Sequence, residues 1–593
     1  MSTSSSPRTI SLHERYAVAR RCVNAPSIVS AAAILQLTPK RNAQHNVEQA
    51  FTALRSHFAH RIDQVLTQYP LLSYCVEAPR SKAPRWSPIH PAPTSKDILH
   101  IGPTISTQAT ADASTLLSRA ILAEQIALPD STQLDKGPLW KVQLSQIKDQ
   151  DGKPKSCLVV LATDHAINDG RGMLNLFQML LRNEPVDGTS DAVQTIPPAS
   201  DRIFNFKPST TYMLGVVWQE LILPKLPLGK KLKAKLRGPV SWPASSATHA
   251  SSSDIVRQPK SCTPTLDIIF ISAPHLITNI KKLAQMHIDP TSPTKQAATL
   301  HAIIHTLALA ALYAAIAHSH HLRTSSALSR FQLVLSSCTP ISLREESRPT
   351  KRRRGLTLSP AVESSATPLP ATTGNFVSSY TDDFRVRGNE TFWRLANRFA
   401  ADLASPRGRK LAKQHIGLLA YIPDFDTSNQ RKRVEDEEEV EKPLGWDGSY
   451  ANGWEKFFGD KASGSTPFDA ALSVSNLGLI DLPSTIQEQW KVEHATWAQS
   501  HTPQGEAFGI DLVGFAVDQQ QTLSVAVSSR PDAFADEELH DRFRTFLERL
   551  ILAFAKDPSG KLSQESQDEQ QQLLDLNTDP SFGSLAQFLI SSP

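Results

Sequence analysis

The stretch CLVVLATDHAINDGRGMLNLF, Cys157 to Phe177, decides how this chain is read. An apolar run ends abruptly in Asp-His, a polar turn follows, and a second apolar pattern begins. A continuous apolar run of this kind is what a central strand covered on both faces requires. GMLNLFQMLLRN, from Gly172, has the spacing of an amphipathic helix. His165 therefore stands at a strand-to-helix turn, where an imidazole can face a crevice. Asp169 lies on the turn behind it, Gly170 permits a tight backbone, and Gly172 lets the helix start close by. A neutral imidazole near its ordinary pKa can take the proton of a hydroxyl or amine as that group attacks an acyl carbon. On the residues alone, a satisfied turn histidine remains the competing reading. Asp169, four residues on, could hold the base; the alternative, favoured by a tight turn, is that it points away and anchors the loop through an arginine salt bridge.

Working outward, PLWKVQLSQI (Pro138–Ile147) and the His165 strand read as consecutive strands across a polar turn, KDQDGKPK. Upstream, Val47, Phe51, Leu54, Phe58, Ile62, Val65 and Leu66 recur at helical spacing and stop before Tyr69-Pro70. Downstream come a strand TLDIIFIS, a helix LITNIKKLAQMH, and a long helix ending in the apolar run LALAALYAAIA (Leu307–Ala317), read as buried. FQLVLSSCTPISLR (Phe331–Arg344), FDAALSVSNLG, FGIDLVGFAV and TLSVAVSSR read as further strands, followed by a helix from about 533 to 556 and a polar tail. Strands and helices alternate in both halves, which predicts α/β layers.

The expected organisation is an N-terminal lobe over 1–200, a linker or crossover over 201–264, and a C-terminal lobe over 265–593 with insertions near 345–370 and 427–445. Within the linker, TYMLGVVWQELILPKLPLGKKLKAKLRG suits either a crossover helix laid on the domain or a basic amphipathic contact with a membrane surface. The insertions, one Pro/Ser-rich and basic, one basic then acidic, read as solvated loops.

Bulk properties exclude several classes. The chain has 593 residues, 40% hydrophobic and 20% charged, enough for a sizeable core. A net charge of +4 over this length offers no case for nucleic acid. Five scattered cysteines without CxxC form neither a zinc framework nor a disulfide scaffold and suit a reducing compartment. The N-terminus has no apolar signal-peptide core, so the expectation is a cytoplasmic monomer, with contact to an internal membrane or lipid droplet left open. No GxSxG elbow, metal-ligand cluster or phosphate-binding glycine pattern appears, which argues against serine hydrolysis, a metal site and a nucleotide loop.

The segment DHAINDGRG, with His165, Asp169 and Gly170, resembles the HxxxDG signature of the CoA-dependent acyltransferase superfamily. That group includes chloramphenicol acetyltransferase, plant BAHD acyltransferases and peptide-synthetase condensation domains. More narrowly, the chain resembles the fungal alcohol O-acetyltransferase family. LHERYAVAR resembles the family's opening helix, ALRSHFAHRIDQVLTQYPLLS the helix before its proline turn, and GPLWKVQL the strand before the histidine strand. TPISLR followed by GNFVSSY, and then SVSNLG, resemble the motifs of the second half.

The resemblance implies a two-lobed, chloramphenicol acetyltransferase-like α/β fold with a tunnel between the lobes. Acetyl-CoA would enter as co-substrate, with no bound cofactor, and a small-molecule acceptor would enter from the other face. His165 would be the general base. Asp169 would be structural, with Arg344 as its salt-bridge partner. Ser475 and Asn476 would lie near the oxyanion or simply form a strand-end turn; Asn375 would line the tunnel or serve a turn. The implied activity is transfer of acetyl to an alcohol, hydroxylated lipid or metabolite. N-acetylation of an amine and a non-catalytic binding protein of the same fold stand as alternatives. Asp164 occupies the place of the second histidine of condensation domains, which argues against that role, and the plant DFGWG motif is absent.

Overall fold

The computed structural model describes residues 8–38, 47–106, 112–148, 154–184, 196–218, 222, 241–242, 264–289, 296–344, 372–424, 450–463, 468, 470–501, 505–517, 520–531, 534–556, 576 and 578–591. Both expected insertions, Cys262 and the basic segment around Lys230 lie outside these residues.

The long strands in chain order are Ile28–Leu37 (β1), Trp140–Lys148 (β2), Pro154–Asp164 (β3), Thr265–Ser272 (β4), Gln332–Ser342 (β5), Val377–Arg387 (β6), Ala470–Leu479 (β7), Trp490–Gln499 (β8), Glu506–Val517 (β9) and Gln520–Ser529 (β10). They form two mixed sheets. The first runs β8-β1-β3-β2, with Leu99–Ile101 and Ile105–Ser106 added in parallel along β2. The second runs β4-β10-β9-β7-β5-β6, and the pairs β5–β7 and β7–β9 are parallel.

β3 is buried from Cys157 to Asp164, and alternate side chains go to opposite faces. Cys157, Val159 and Leu161 join Val29, Ala31, Ala33 and Leu35 of β1 in one cluster, where helix Gly170–Leu181 also packs. Leu158 and Val160 face the other way and meet Leu266, Ile268 and Ala526 of the second sheet. Helix Ala113–Ser131 fills that interface, lying against β1, β3 and β4. The small residues of β1, SAAA at 30–33, let the helix approach closely.

The two sheets do not divide the chain at 265 as expected. β8 lies far beyond that point, yet it is the edge strand of the first sheet, with Thr496 opposite Ala32 and Trp497 opposite Ala31. Trp490 and Trp497 are buried in the first-sheet core, and that burial binds the strand there. From the linker segment, helix Thr210–Val217 has no buried residue and exposes Leu214, and Trp242 is buried where Ser241–Trp242 pairs with β5.

The apolar run belongs to a helix of 20 residues, Leu300–Ser319, long and apolar enough to cross a membrane, but Ala302 through Ala317 are all buried in the second-lobe core. The helix expected from 533 begins at Leu539. The expected polar tail also departs from the reading: helix Phe582–Ser591 buries Phe582, Leu585, Ala586 and Leu589, at i, i+3, i+4 and i+7, against Leu300–Ser319.

Candidate active site

β3 ends at Asp164, which is fully buried. Arg21 Nη1 donates to its Oδ2 at 2.8 Å, and the Ala166 amide donates to Oδ1 at 2.8 Å, closing the turn. Arg21 belongs to helix Leu12–Cys22 (α1), whose start is set by a capping box between Ser11 and Glu14. The next amide, His165 N–H, donates to the Ser27 carbonyl at 2.8 Å. The residues that follow are stitched to the second half. Gly374 N–H donates to Ile167 O at 2.8 Å, and Asn168 Nδ2 donates to Thr372 O at 3.0 Å.

Asp169 turns away from the imidazole. Its Oδ1 caps helix Gly170–Leu181 (α2) by accepting from Gly172 N–H at 2.8 Å. Its Oδ2 accepts from Arg344 Nη2 and from Phe376 N–H, both at 2.9 Å. Arg344 Nη2 also donates to Gly374 O at 2.7 Å, and the guanidinium lies 5.1 Å over the Phe376 ring. A buried ion pair thus joins the turn 165–170 to the loop 372–376. Gly172 is required by close approach: a Cβ there would sit 2.0 Å from Asn168 Oδ1 and 2.8 Å from Arg344 Nη2. Gly170 corrects the sequence reading. It is the first residue of α2 and has no positive φ; what presses on it is Leu477 and Trp497, each 3.3 Å from a would-be Cβ.

His165 itself is half-buried, its ring open to a cavity of about 1150 Å³ lined by residues from both sheets. Asn375 Nδ2 donates to the His165 carbonyl at 2.8 Å and lies 3.2 Å from Nδ1. The second contact is a hydrogen bond only when the ring proton is on Nε2. With the proton on Nδ1 instead, the free lone pair is the one on Nε2. Burial pushes the imidazole pKa below 6.5, against a smaller upward pull from its own carbonyl and Asp169, so the ring is neutral at pH 7.

The β7 residues reach the same place. Ser475 lines the cavity and pairs in register with Asp511 of β9. Asn476 also lines it, but its Oδ1 accepts from Gly478 N–H at 2.8 Å, so the turn occupies its carbonyl while its amide is not engaged there. Arg171 donates to Leu477 O, binding the end of β7 to α2.

Several lining residues were not singled out from sequence. α1 turns His13, Tyr16, Ala17 and Arg20 to the cavity, a helical face. Burial, and secondarily His165, pushes the His13 pKa down to about 3. Asp511 lies in FGIDLVGF, where no motif was assigned; its Oδ2 accepts from Gln499 N–H at 2.7 Å, and burial holds its carboxyl well above the usual range. The only sequence signal was spacing: His13, Tyr16 and Arg20 share one face of a helix flanked by apolar residues. Among the described residues one grouping has metal-ligand character, Asp267, His540 and Asp541. There both imidazole nitrogens are taken, by Ser529 Oγ at 2.6 Å and Asp267 Oδ2 at 2.7 Å.

No family model matches this sequence, and no curated protein matches it. Among solved structures, TRI3 trichothecene 15-O-acetyltransferase from Fusarium sporotrichioides is similar at 13% identity and a TM-score of 0.53, covering 92% of this chain and 94% of that one. TRI101 of F. sporotrichioides, complexed with coenzyme A and T-2, is similar at 10% identity and a TM-score of 0.45, covering 90% and 97%. The condensation domain from the monacolin K polyketide synthase MokA gives 12% identity and 0.43, covering 93% and 97%. The likeness to TRI3 over nearly the whole of both chains establishes the architecture as the two-lobed acyltransferase fold.

Proposed function

We propose that this protein is an acetyl-CoA-dependent O-acetyltransferase of the alcohol acetyltransferase type, acting on the hydroxyl of an alcohol, hydroxylated lipid or metabolite. One observation carries the reading: a neutral imidazole opens on a large cavity between two sheets, held by bonds from both.

The step uses the tautomer with the proton on Nδ1, in which His165 keeps a lone pair on Nε2. As the acceptor oxygen attacks the thioester carbon, its proton passes to Nε2, the C–O bond forms, and the carbonyl π pair moves onto oxygen. Collapse re-forms the carbonyl and breaks the C–S bond. The sulfur leaves as free thiol, taking back the proton from the imidazolium. The products are an acetyl ester and CoA, and no acyl-enzyme is needed. A base that is unprotonated at working pH suits this step. The Ser475 hydroxyl and the Asn476 amide are candidate donors to the oxyanion, where one donor lowers the barrier by about 3 kcal/mol. Asn375 orients the base; Asp169, Arg344 and Gly170 hold the turn that carries it.

The test is thiol release from acetyl-CoA by purified protein against a panel of alcohols and amines. Acceptor-dependent release is expected, falling roughly a thousandfold in His165→Ala, the worth of a general base. Full turnover in that variant would remove His165 from its role. Preference for amines would redirect the reading to N-acetylation. Acetyl-CoA binding without release across the panel would favour a binding protein.

A further inference from the structure

Around the base, two arginines are answered by carboxylates: Arg21 by Asp164 at 2.8 Å and Arg344 by Asp169 at 2.9 Å. Arg20 is different. It is 2% exposed and lines the cavity, and among the described residues no carboxylate reaches it. Nη2 donates to the Pro26 carbonyl at 2.5 Å, the guanidinium lies 5.2 Å over the Tyr16 ring, and Nε is buried without a partner. A guanidinium cannot shed its proton to relieve burial, and buried charges are ordinarily paired.

Its placement says what the partner is. Arg20 is tied to Pro26 O and the His165 amide to Ser27 O, so cation and base hang from consecutive residues. The phosphates of coenzyme A lie at the far end of the pantetheine arm from the thioester. An anion beside the base therefore belongs to the acceptor. Arg171 also lines the cavity without a carboxylate, but it is only half-buried and is held on Leu477 O. Among the described lining residues, the one fully buried guanidinium left unanswered fits a monoanion, and the planar fork of arginine fits a carboxylate. His13, seven residues earlier on the same face, has Nδ1 buried without a partner and adds a neutral polar group to the same wall.

We propose that the acceptor is a hydroxy acid, its carboxylate held by Arg20 while its hydroxyl faces His165. This rests on the acyl-transfer reading above. Arg20 is an acceptor-binding residue and takes no part in proton transfer.

The experiment compares thiol release with matched pairs of hydroxy acids and their methyl esters, in wild type, Arg20→Gln and Arg20→Lys, with His165→Ala as blank. Wild type is expected to favour acid over ester by roughly ten- to a hundredfold in kcat/KM, the worth of a charge-assisted hydrogen bond away from water. Arg20→Gln should collapse that ratio towards one, through KM for the acid. Arg20→Lys should retain part of it, which guards against misfolding of the glutamine variant. Equal use of acid and ester by wild type would overturn the proposal. So would a kcat loss in Arg20→Gln shared by acid and ester, which places the guanidinium on the oxyanion. His165-dependent acetylation of neutral alcohols with acids rejected would remove this proposal and leave acyl transfer standing. Calorimetric binding of hydroxy acid that needs Arg20, without any thiol release, would remove acyl transfer and keep the anion site.

Discussion

The two sides of His165 are built in opposite ways. On one side both carboxylates are met: Asp169 takes Arg344, the Phe376 amide and the Gly172 amide, and Asp164 takes Arg21 and the Ala166 amide. Buried polar atoms without a partner occur on both sides, Asn168 Oδ1 and Asn375 Oδ1 on the first and Arg20 Nε and His13 Nδ1 on the α1 side; what sets the α1 side apart is that one of them belongs to a cation, Arg20. Burial is equally deep on both sides, so exposure does not explain the contrast. A paired network fixes one geometry and resists change. Unpaired polar groups cost stability while the site is empty and are satisfied only when something binds. On the proposed reading, this difference separates the residues that hold the base from those that meet a substrate.

The largest expected effect falls on the paired side. Asp169→Asn keeps a cap for α2 but leaves the Arg344 guanidinium, 9% exposed, without its anion. Breaking a buried pair in this way costs about 3–5 kcal/mol, so the denaturation midpoint should drop sharply and acetyl transfer with it. A double-mutant cycle with Arg344→Met checks the cause. If the two losses simply add, the pair is not the unit that joins the turn to loop 372–376.

Arg20→Met should act in the other direction. Removing an unpaired buried cation relieves its desolvation, offset by loss of the Pro26 bond and of the contact over Tyr16. The ligand-free protein should gain about 1 kcal/mol, a common outcome when a functional polar group is replaced by an apolar one. A loss of more than about 2 kcal/mol in urea unfolding would make Arg20 a structural residue and erase the contrast between the two sides.

Much of the paired side is legible in the sequence alone. The run Cys157–Thr163 reads as a doubly covered strand, and the switch from continuous to helical periodicity located the turn at His165. Arg344 entered through the resemblance of TPISLR, 175 residues from Asp169, and not through any local spacing. The placement of β8 in the first sheet left no trace, because pairing Trp497 with Ala31 depends on tertiary burial and not on the strand's own pattern. Gly170 was misread because a turn glycine and a packing glycine look alike in sequence. The α1 face was the least legible: His13, Tyr16 and Arg20 have the spacing of a polar stripe facing water, and only the second lobe closing over them makes them a cavity wall.

The smallest expected effect concerns His13, and it sharpens what the α1 side carries. In the folded protein burial holds its pKa near 3, against 6.5 when exposed. Between those values the unfolded chain binds a proton that the folded one does not, so stability is full above about pH 6.5 and falls as pH drops towards about 3. His13→Gln keeps a polar group and removes up to about 1.4 kcal/mol per pH unit from that slope. Urea unfolding of both proteins at pH 7, 6 and 5 measures the difference directly; His301 and His501, which are also buried, contribute equally to both and cancel. Identical slopes would mean that His13 takes up its proton in the fold as it does in the unfolded chain, and is charged below about pH 6.5. The wall would then present two positive charges and not one, and the monoanion inferred for Arg20 would give way to a more highly charged head group.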